Sequence, residues 1–273
     1  MALYINTNLA SLNAQRHLQA SSDSVATSLE RLSSGLRINN ASDDAAGLAI
    51  ADRLNADTRI ANQAIRNAND GLSALAIGEK ALGEDTAILT RLSELASESA
   101  TGVISNTQRS AIQAEFGQLL SEIDRVSQTT TFNGVQLLSA GTTVTLQVGL
   151  DGTSNSQISF STVDGSTSGL GLTGVAVSTQ ASAQSALAFL SSAIASVAQT
   201  RGTLGSYESR LQAAISNLRI AVENFSAAQS RIRDADVAAE SANLTRANIL
   251  QQAGTAVLAQ ANQQPALALK LLQ

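Results

Sequence analysis

The sequence predicts a mainly α-helical protein: a long antiparallel helical bundle or coiled-coil rod with terminal coiled-coil helices and one small β-hairpin region. Three observations predict this fold class. An apolar residue recurs at every seventh position from Leu54 to Ala96, which is typical of one long helix packed against partner helices. The chain of 273 residues contains a single proline, and aromatic residues make up only 3% of it. A core of Leu, Ile, Val and Ala suits helices that pack closely.

Residues 1–40 contain the first predicted helix. Leu18, Val25 and Leu32 are seven residues apart, and few charged residues lie between them. A helix with such a narrow apolar stripe needs a partner, because short isolated helices are marginally stable in water. The break at 35–44 ends in Ser42, which we predict to be the N-cap of the next helix.

The long predicted helix runs from about Ser42 to Ala100, with Asp43 and Asp44 placing negative charge in its first turn. A second helix is predicted at 106–129, where Ile112, Phe116 and later apolar residues alternate in steps of four and three. The short link between the two helices predicts that they are antiparallel.

The segment after residue 126 changes character and is almost free of charge as far as residue 200. Asn133-Gly134 is a turn signal, and alternating apolar residues predict strands at 144–150 and around 158–160. Residues 164–183 are rich in Gly, Ser and Thr and are predicted to form a loop. Gly169 to Gly174 matches G-x-G-x-x-G, but no hydrophobic strand precedes it. We therefore interpret it as a flexible loop and not as a dinucleotide site.

Helical spacing returns at 184–231 and continues in a charge-poor tail at 234–273. The two ends of the chain carry more apolar surface than one helix pair can bury, which predicts burial against other copies of the chain. The predicted core of the rod is Leu75, Leu82, Leu89, Phe116, Ile123, Leu211, Leu218 and Phe225. The predicted polymer interface is Leu18, Val25, Leu29, Leu32, Leu36, Val237, Leu244, Leu250, Val257 and Leu258.

Several function classes are disfavoured by composition. The net charge of −5 and the lack of a Lys/Arg block argue against a nucleic-acid partner. We expect no membrane span, because no run of about 18 apolar residues is present, and residues 1–20 lack the pattern of a cleaved signal peptide. His17 is the only histidine and there is no cysteine. We therefore expect no enzyme activity, no metal site and no cofactor, and we attribute Asp43-Asp44 to helix-end electrostatics.

A series of specific motifs occurs in order along the helical parts of the chain. They are the segments 5–12, 29–39, 43–50, 66–71, 112–115, 122–126, 131–134, 202–205, 211–212, 217–218, 252–253 and 260–263. With these motifs the chain closely resembles bacterial flagellin, and the resemblance covers residues 1–140 and 184–273. The chain departs from many flagellins between 141 and 183, where only a β-hairpin and loop replace the large outer domains of the family.

The resemblance implies a subunit that is exported unfolded through the flagellar type III apparatus and self-assembles under a cap into the extracellular filament used for swimming. Residues 1–42 plus 234–273 would form an inner-core coiled coil that is disordered in the free monomer. Residues 43–140 plus 184–233 would form the rod domain, with 141–183 as its hairpin and loop. The implied partners are other flagellin subunits, an export chaperone, and the filament cap and hook-junction proteins.

The resemblance also implies recognition by an innate immune Toll-like receptor. Arg91, Leu95 and Glu115 match the family's contact surface, whereas Ser93 stands where some stimulatory flagellins carry a second arginine. Two alternatives stay open. One is a hook-filament junction protein, which shares flagellin-like ends, and the other is a coiled-coil scaffold that does not polymerise.

Overall fold

The structure, a computed structural model, describes residues 7–270, with side chains as far as Gln263. The start of the motif at 5–12 and the last three residues of the predicted C-terminal helix lie outside the described residues. The described part is mainly helical, as predicted, and contains two small antiparallel sheets. The helices are α1 (Leu9–Ser34), α2 (Ala45–Ala100), α3 (Asn106–Thr129), α4 (Gln180–Arg233) and α5 (Val237–Lys270). The strands are β1 (Thr131–Phe132), β2 (Val135–Gln136), β3 (Thr143–Gln147) and β4 (Gln157–Ser161).

The chain divides into two compact units. The terminal unit comprises Met1–Asp57 and Glu223–Gln273, and the middle unit comprises Thr58–Val222. The boundaries of these units lie inside α2 and α4, whereas the sequence-based domain boundaries follow the breaks between helices.

The middle unit is built around α2, which α3 and α4 accompany in antiparallel directions. Arg91 of α2 pairs with Glu115 of α3, and Glu79 of α2 pairs with Arg201 of α4. The heptad positions of α2 are buried together with the apolar stripes of α3 and α4. Seven of the eight predicted core residues are buried, and only Phe225 is half-buried.

A second stripe of α2 runs three residues after the heptad positions and consists of Gly71, Gly78, Asp85, Leu92 and Ser99, all of which are buried. We call it the small-residue stripe. It is covered by the segment between α3 and α4. A Cβ added at Gly71 would overlap the Leu146 side chain of β3, so the hairpin approaches the helix closely because this position lacks a side chain.

The two sheets are β-hairpins, as the turn signals predict. Asn133 and Gly134 both have positive φ, at 48° and 80°, which is the conformation of a two-residue hairpin turn. β3 and β4 pair from Thr143↔Ser161 to Gln147↔Gln157. The hairpin formed by β3 and β4 is therefore shorter at its tip than the predicted strand at 144–150.

The segment 164–177, which we call the strap, contains no helix or strand, as the loop prediction requires, but it corrects the interpretation of 169–174 as flexible. Its apolar residues Leu170, Leu172 and Val177 are buried in the core of the middle unit. Thr167 donates from its backbone N–H to the Asp124 carboxylate at 2.8 Å. The glycine-rich composition serves the bends of the strap, because Gly171 and Gly174 have positive φ.

The predicted N-cap of α2 was wrong by two residues. Asp44, and not Ser42, accepts hydrogen bonds from the backbone N–H groups of Gly47, through its side chain at 2.8 Å, and of Leu48, through its carbonyl at 3.0 Å. Ser and Asp are both good N-caps, so composition alone could not choose between them.

One helix bears on the expectation that no segment spans a membrane. α4 contains an 18-residue window that is long and apolar enough to cross a membrane by length and composition. The finding is weak, because core helices of soluble proteins pass the same test, and α4 buries Leu190, Val197 and Leu211 in the middle unit. The absence of a membrane span stays a prediction.

We expect Leu75→Asp to unfold the middle unit, because Leu75 is almost fully buried and the substitution would bury an unpaired charge. The free energy of unfolding should fall by more than about 3 kcal/mol, measured by urea denaturation with far-UV circular dichroism. Ile77→Asp is the matched control, since Ile77 is exposed on the same helix and should change stability by about 1 kcal/mol or less. Equal effects of the two substitutions would show that the core is misassigned.

Candidate polymer interface

The terminal unit is built on an antiparallel pair of helices, α1 and α5. Side-chain contacts join Ser11 to Asn262 near the start of α1 and Ser28 to Glu240 near its end. The residues of α5 that face α1 are spaced by sevens and are mostly small: Glu240, Ala247, Gly254 and Ala261. A Cβ added at Gly254 would lie 3.5 Å from the Leu18 side chain. Small residues therefore let the two helices approach closely.

Polar groups fix the register of this pair. The Asn8 side chain donates to the Ala261 carbonyl at 2.8 Å, and the Gln251 amide donates to Ser22 Oγ at 3.0 Å. The buried Ser28 hydroxyl donates to Glu240 Oε1. A one-heptad slip of α5 would break these hydrogen bonds, so they select one alignment of the two helices.

The connections at the ends of the helices are also joined. Gly35 caps the C-terminus of α1 in a left-handed conformation with φ 71°, and its carbonyl accepts a hydrogen bond from Ala235 N–H at 2.9 Å. Arg37 donates from its side chain to the Ile232 carbonyl at 2.8 Å. The break after α1 is thereby bound to the break between α4 and α5.

Charged groups reinforce this junction. Arg31 lies 3.9 Å from the Glu240 carboxylate and 4.0 Å from Asp43. The pKa of Asp43 is held below its ordinary value, first by the backbone N–H groups of Asn40 and Asn39 and then by the charge of Arg31. Asp43 therefore stabilises the loop at 39–43 as a carboxylate, in place of the predicted role in the first turn of α2.

The pair leaves large apolar side chains uncovered. Among the described residues of α1 and α5, seven large apolar side chains are 49–60% exposed: Leu9, Leu12, Leu29, Val237, Ile249, Leu250 and Val257. We call these residues the exposed apolar set. Four of the ten predicted interface residues belong to it, and the other six, which include Leu18 and Leu244, are half-buried. Sequence reasoning missed Leu9, Leu12 and Ile249, because they lie off the two heptad positions that it followed.

The predicted receptor contact lies on α2 and α3 in the middle unit. Arg91 donates to Glu115 at 2.8 Å and to Glu94 at 3.0 Å, and the arginine is about half exposed. Hydrogen bonds to Glu115 and then Glu94 raise the pKa of Arg91. Leu95 is only 1% exposed. We therefore correct its assignment: the Leu95 side chain packs in the core and is not accessible to a receptor.

The described residues offer no group of three or more His, Cys, Asp and Glu side chains that could hold a metal ion. His17, the only histidine, is exposed on α1. The Asp43-Asp44 pair is used for hydrogen bonds to the backbone at 39, 40 and 47.

Comparison with known proteins identifies the family. The bacterial flagellin N-terminal helical region matches residues 5–143, and the bacterial flagellin C-terminal helical region matches residues 187–272. The chain is 42% identical to a flagellin of Halalkalibacterium halodurans over 99% of this chain and 100% of that protein. It is 38% identical to a flagellar filament 30.7 kDa core protein of Treponema maltophilum, over 99% and 100%.

The fold agrees with this similarity. The crystal structure of Bacillus cereus flagellin matches 56% of this chain and 88% of that chain, with a TM-score of 0.51 and 28% sequence identity. Both helical regions of the family are present in order and the relatives are matched over their full length. The chain belongs to the bacterial flagellin family.

Proposed function

We propose that this chain is a structural subunit that self-assembles into the bacterial flagellar filament for swimming motility, and that the polymer buries the exposed apolar set. The observation that carries the proposal is the exposure of these seven side chains on a helix pair whose own seam is made of small residues. A soluble monomer rarely leaves so many large apolar side chains uncovered on one element pair. Because the chain belongs to the bacterial flagellin family, we identify this polymer as the flagellar filament.

The magnitude of this burial is comparable with the free-energy cost of association. Covering a half-exposed Leu, Ile or Val side chain stabilises by roughly 1 kcal/mol. The exposed apolar set would then contribute roughly 5–10 kcal/mol per subunit before the entropy of association is subtracted. Each subunit of a helical polymer also contacts several neighbours, so the terminal pair can hold the filament together.

The finer assignments follow from the family and are proposals. Residues 1–42 plus 234–273 form the inner coiled coil of the filament and are disordered in the free monomer, and residues 43–140 plus 184–233 form the surrounding rod domain. The hairpin of β3 and β4, within 141–183, takes part in switching between filament supercoils. The chain is secreted by the flagellar type III apparatus and meets an export chaperone, the cap and the hook-junction proteins.

Full-length similarity to flagellins favours a filament subunit over a hook-filament junction protein, which shares mainly the ends. The exposed apolar set disfavours a coiled-coil scaffold that stays monomeric, since such a scaffold would leave these side chains unexplained. The role is structural and not enzymatic. It uses no cofactor, nucleic acid or membrane.

A second candidate function is recognition by a Toll-like receptor of innate immunity. The supporting observation is the exposed Arg91–Glu115 pair, which joins α2 to α3 and presents both charges at the surface. The resemblance to flagellins assigns these two positions to the contact surface, and the burial of Leu95 narrows the proposal to Arg91 and Glu115.

Deleting residues 1–30 or 240–273 should abolish polymerisation and leave the middle unit folded, because the main hydrophobic core contains no residue from either segment. Negative-stain electron microscopy of monomer seeded with filament fragments measures assembly, and circular dichroism measures folding. Filaments formed by either shortened chain would contradict the role of the terminal pair.

A single substitution tests the exposed apolar set. Leu250→Asp should keep the helical circular dichroism of the monomer, because Leu250 lies outside the middle unit and its core, and should prevent elongation of seeded filaments. Leu250→Met is the matched control and should elongate, since it keeps an apolar side chain of similar volume. Normal elongation by Leu250→Asp would remove this residue from the interface.

The receptor proposal predicts that Arg91→Ala weakens the response of Toll-like receptor reporter cells by about tenfold, since loss of a hydrogen-bonded charge at an interface has an effect of this order. Arg125→Ala is the matched control: Arg125 is an exposed arginine on α3 that pairs with Glu122. If the wild-type chain activates the receptor and both variants retain its potency, Arg91 is not a contact.

A further inference from the structure

Asp85 is a carboxylic acid in the hydrophobic core of the middle unit. It occupies the small-residue stripe of α2 and is 0% exposed. Neither of its two oxygens has a hydrogen-bond partner. Buried acids are normally paired or hydrogen-bonded, because an unpaired charge in the protein interior is costly. Neither the heptad packing nor the proposed assembly surface accounts for this residue.

The strap covers Asp85. Gly165, the second residue of the strap, is buried, and a Cβ added to it would lie 3.6 Å from Asp85 Oδ2 and 3.3 Å from the Leu138 side chain. The Leu138 carbonyl accepts hydrogen bonds from Gly165 N–H at 3.1 Å and from the hydroxyl of Ser127 on α3 at 2.6 Å. Asp85, Gly165 and Leu138 therefore form the point where α2, α3 and the strap meet.

The charged groups on the surrounding elements give Asp85 no counter-charge. On α2, the adjacent Glu84 repels the ionised form of Asp85, and Glu79 is engaged by Arg201.

Two further acidic groups, one on the strap and one on α3, are already hydrogen-bonded. On the strap, Asp164 accepts hydrogen bonds from the backbone N–H and hydroxyl of Ser166. On α3, Asp124 accepts hydrogen bonds from Thr167.

The remaining element, α4, offers no unpaired cation here either. Its residues 180–200 include no charged side chain, and Arg201 is engaged by Glu79. Ionised Asp85 would thus face acidic groups and apolar walls. Its burial, and secondarily the charge of Glu84, raises its pKa to about 7.

We propose that Asp85 is a protonation-controlled latch for the strap: the neutral acid stays buried beneath Gly165, and its ionised form, which requires water, opens the contact between the strap and α2. Opening here means local separation at Gly165, with the helices of the middle unit still folded. The latch belongs to the single chain and does not depend on the proposed assembly surface.

The direction of the pH effect follows from linkage. The ordinary pKa of an aspartate is 3.8, and in the closed state the pKa of Asp85 is about 7. Closure is therefore most stable below the ordinary pKa, where the acid is neutral in both states. It weakens as pH rises toward 7 and changes little above that pH. Because opening releases one proton between these two pKa values, the opening constant should rise about tenfold per pH unit within this window.

Amide hydrogen exchange of the full-length monomer, measured at several pH values from 5 to 9 and corrected for intrinsic exchange, tests the latch. The amides of Gly165 and Thr167 report the strap, and the amide of the buried Leu211 on α4 reports the rest of the core. We expect the opening constant of the two strap amides to rise about tenfold per pH unit up to about 7 and then level off. The Leu211 amide should stay protected.

Two variants separate the latch from general effects of pH. Asp85→Asn is isosteric and cannot ionise, so the opening constant of its strap should not depend on pH. Glu84→Gln removes the neighbouring exposed carboxylate and should keep the pH dependence with a slightly lower midpoint. If the wild-type strap amides show no pH dependence, or if Asp85→Asn shows the same dependence as the wild type, the proposal is overturned.

A spectroscopic readout on the wild-type chain keeps the test independent of the variant's folding. The carbon-13 chemical shift of the Asp85 carboxyl group should titrate with a midpoint near 7. A midpoint at the ordinary aspartate value would show that Asp85 is ionised and accommodated in the closed state, and this would also overturn the proposal.

Discussion

The middle unit depends on the burial of two neighbouring stripes of α2. The heptad stripe, which includes Leu75, Leu82 and Leu89, packs among the apolar stripes of α3 and α4. The small-residue stripe lies three residues further on and admits the hairpin and the strap. Helices in proteins gain most of their stability from packing of their apolar faces and not from intrinsic propensity. The middle unit needs both sets of contacts, because each set removes a different stripe of α2 from water.

The terminal unit uses small residues differently. In the pair of α1 and α5, small residues such as Ala247 and Gly254 form the contact between the helices, and larger apolar residues such as Leu29 and Leu250 point outward. Bringing two helices close through small residues buries little apolar area, so the pair gains little stability by itself. The polar contacts of Asn8, Ser11 and Gln251 fix its alignment without adding much burial. Such a unit leaves apolar surface available to a partner, and this fits the proposal that neighbouring copies of the chain cover it.

Periodicity predicted most of the helical architecture. The bounds of α3 agree with the predicted 106–129, and α2 begins only a few residues later than expected, because long periodic segments leave little choice of structure. The errors arose where tertiary contacts determine whether a residue is buried. The strap looked flexible from its glycine content, yet Leu170, Leu172 and Val177 are buried. Likewise, the burial of Leu95 depends on how α2 packs with its neighbours, which its spacing alone did not reveal.

Asp85 shows which structural properties a heptad pattern can predict and which it cannot. Its position could have been predicted as buried, since Gly71, Gly78, Leu92 and Ser99 share its heptad column. By contrast, Ile65 and Leu72, which lie four residues after heptad positions, are only half-buried.

What no periodicity reveals is whether a buried acid finds a partner. The identities and distances of the groups on the strap, α3 and α4 decide that question. Ser99, in the same column, donates its hydroxyl to the Val177 carbonyl, so a polar side chain in this stripe can be satisfied by the strap. Asp85 faces Gly165, which has no side chain to donate. The contrast between these two positions makes Asp85 the point in the stripe where burial depends on a proton.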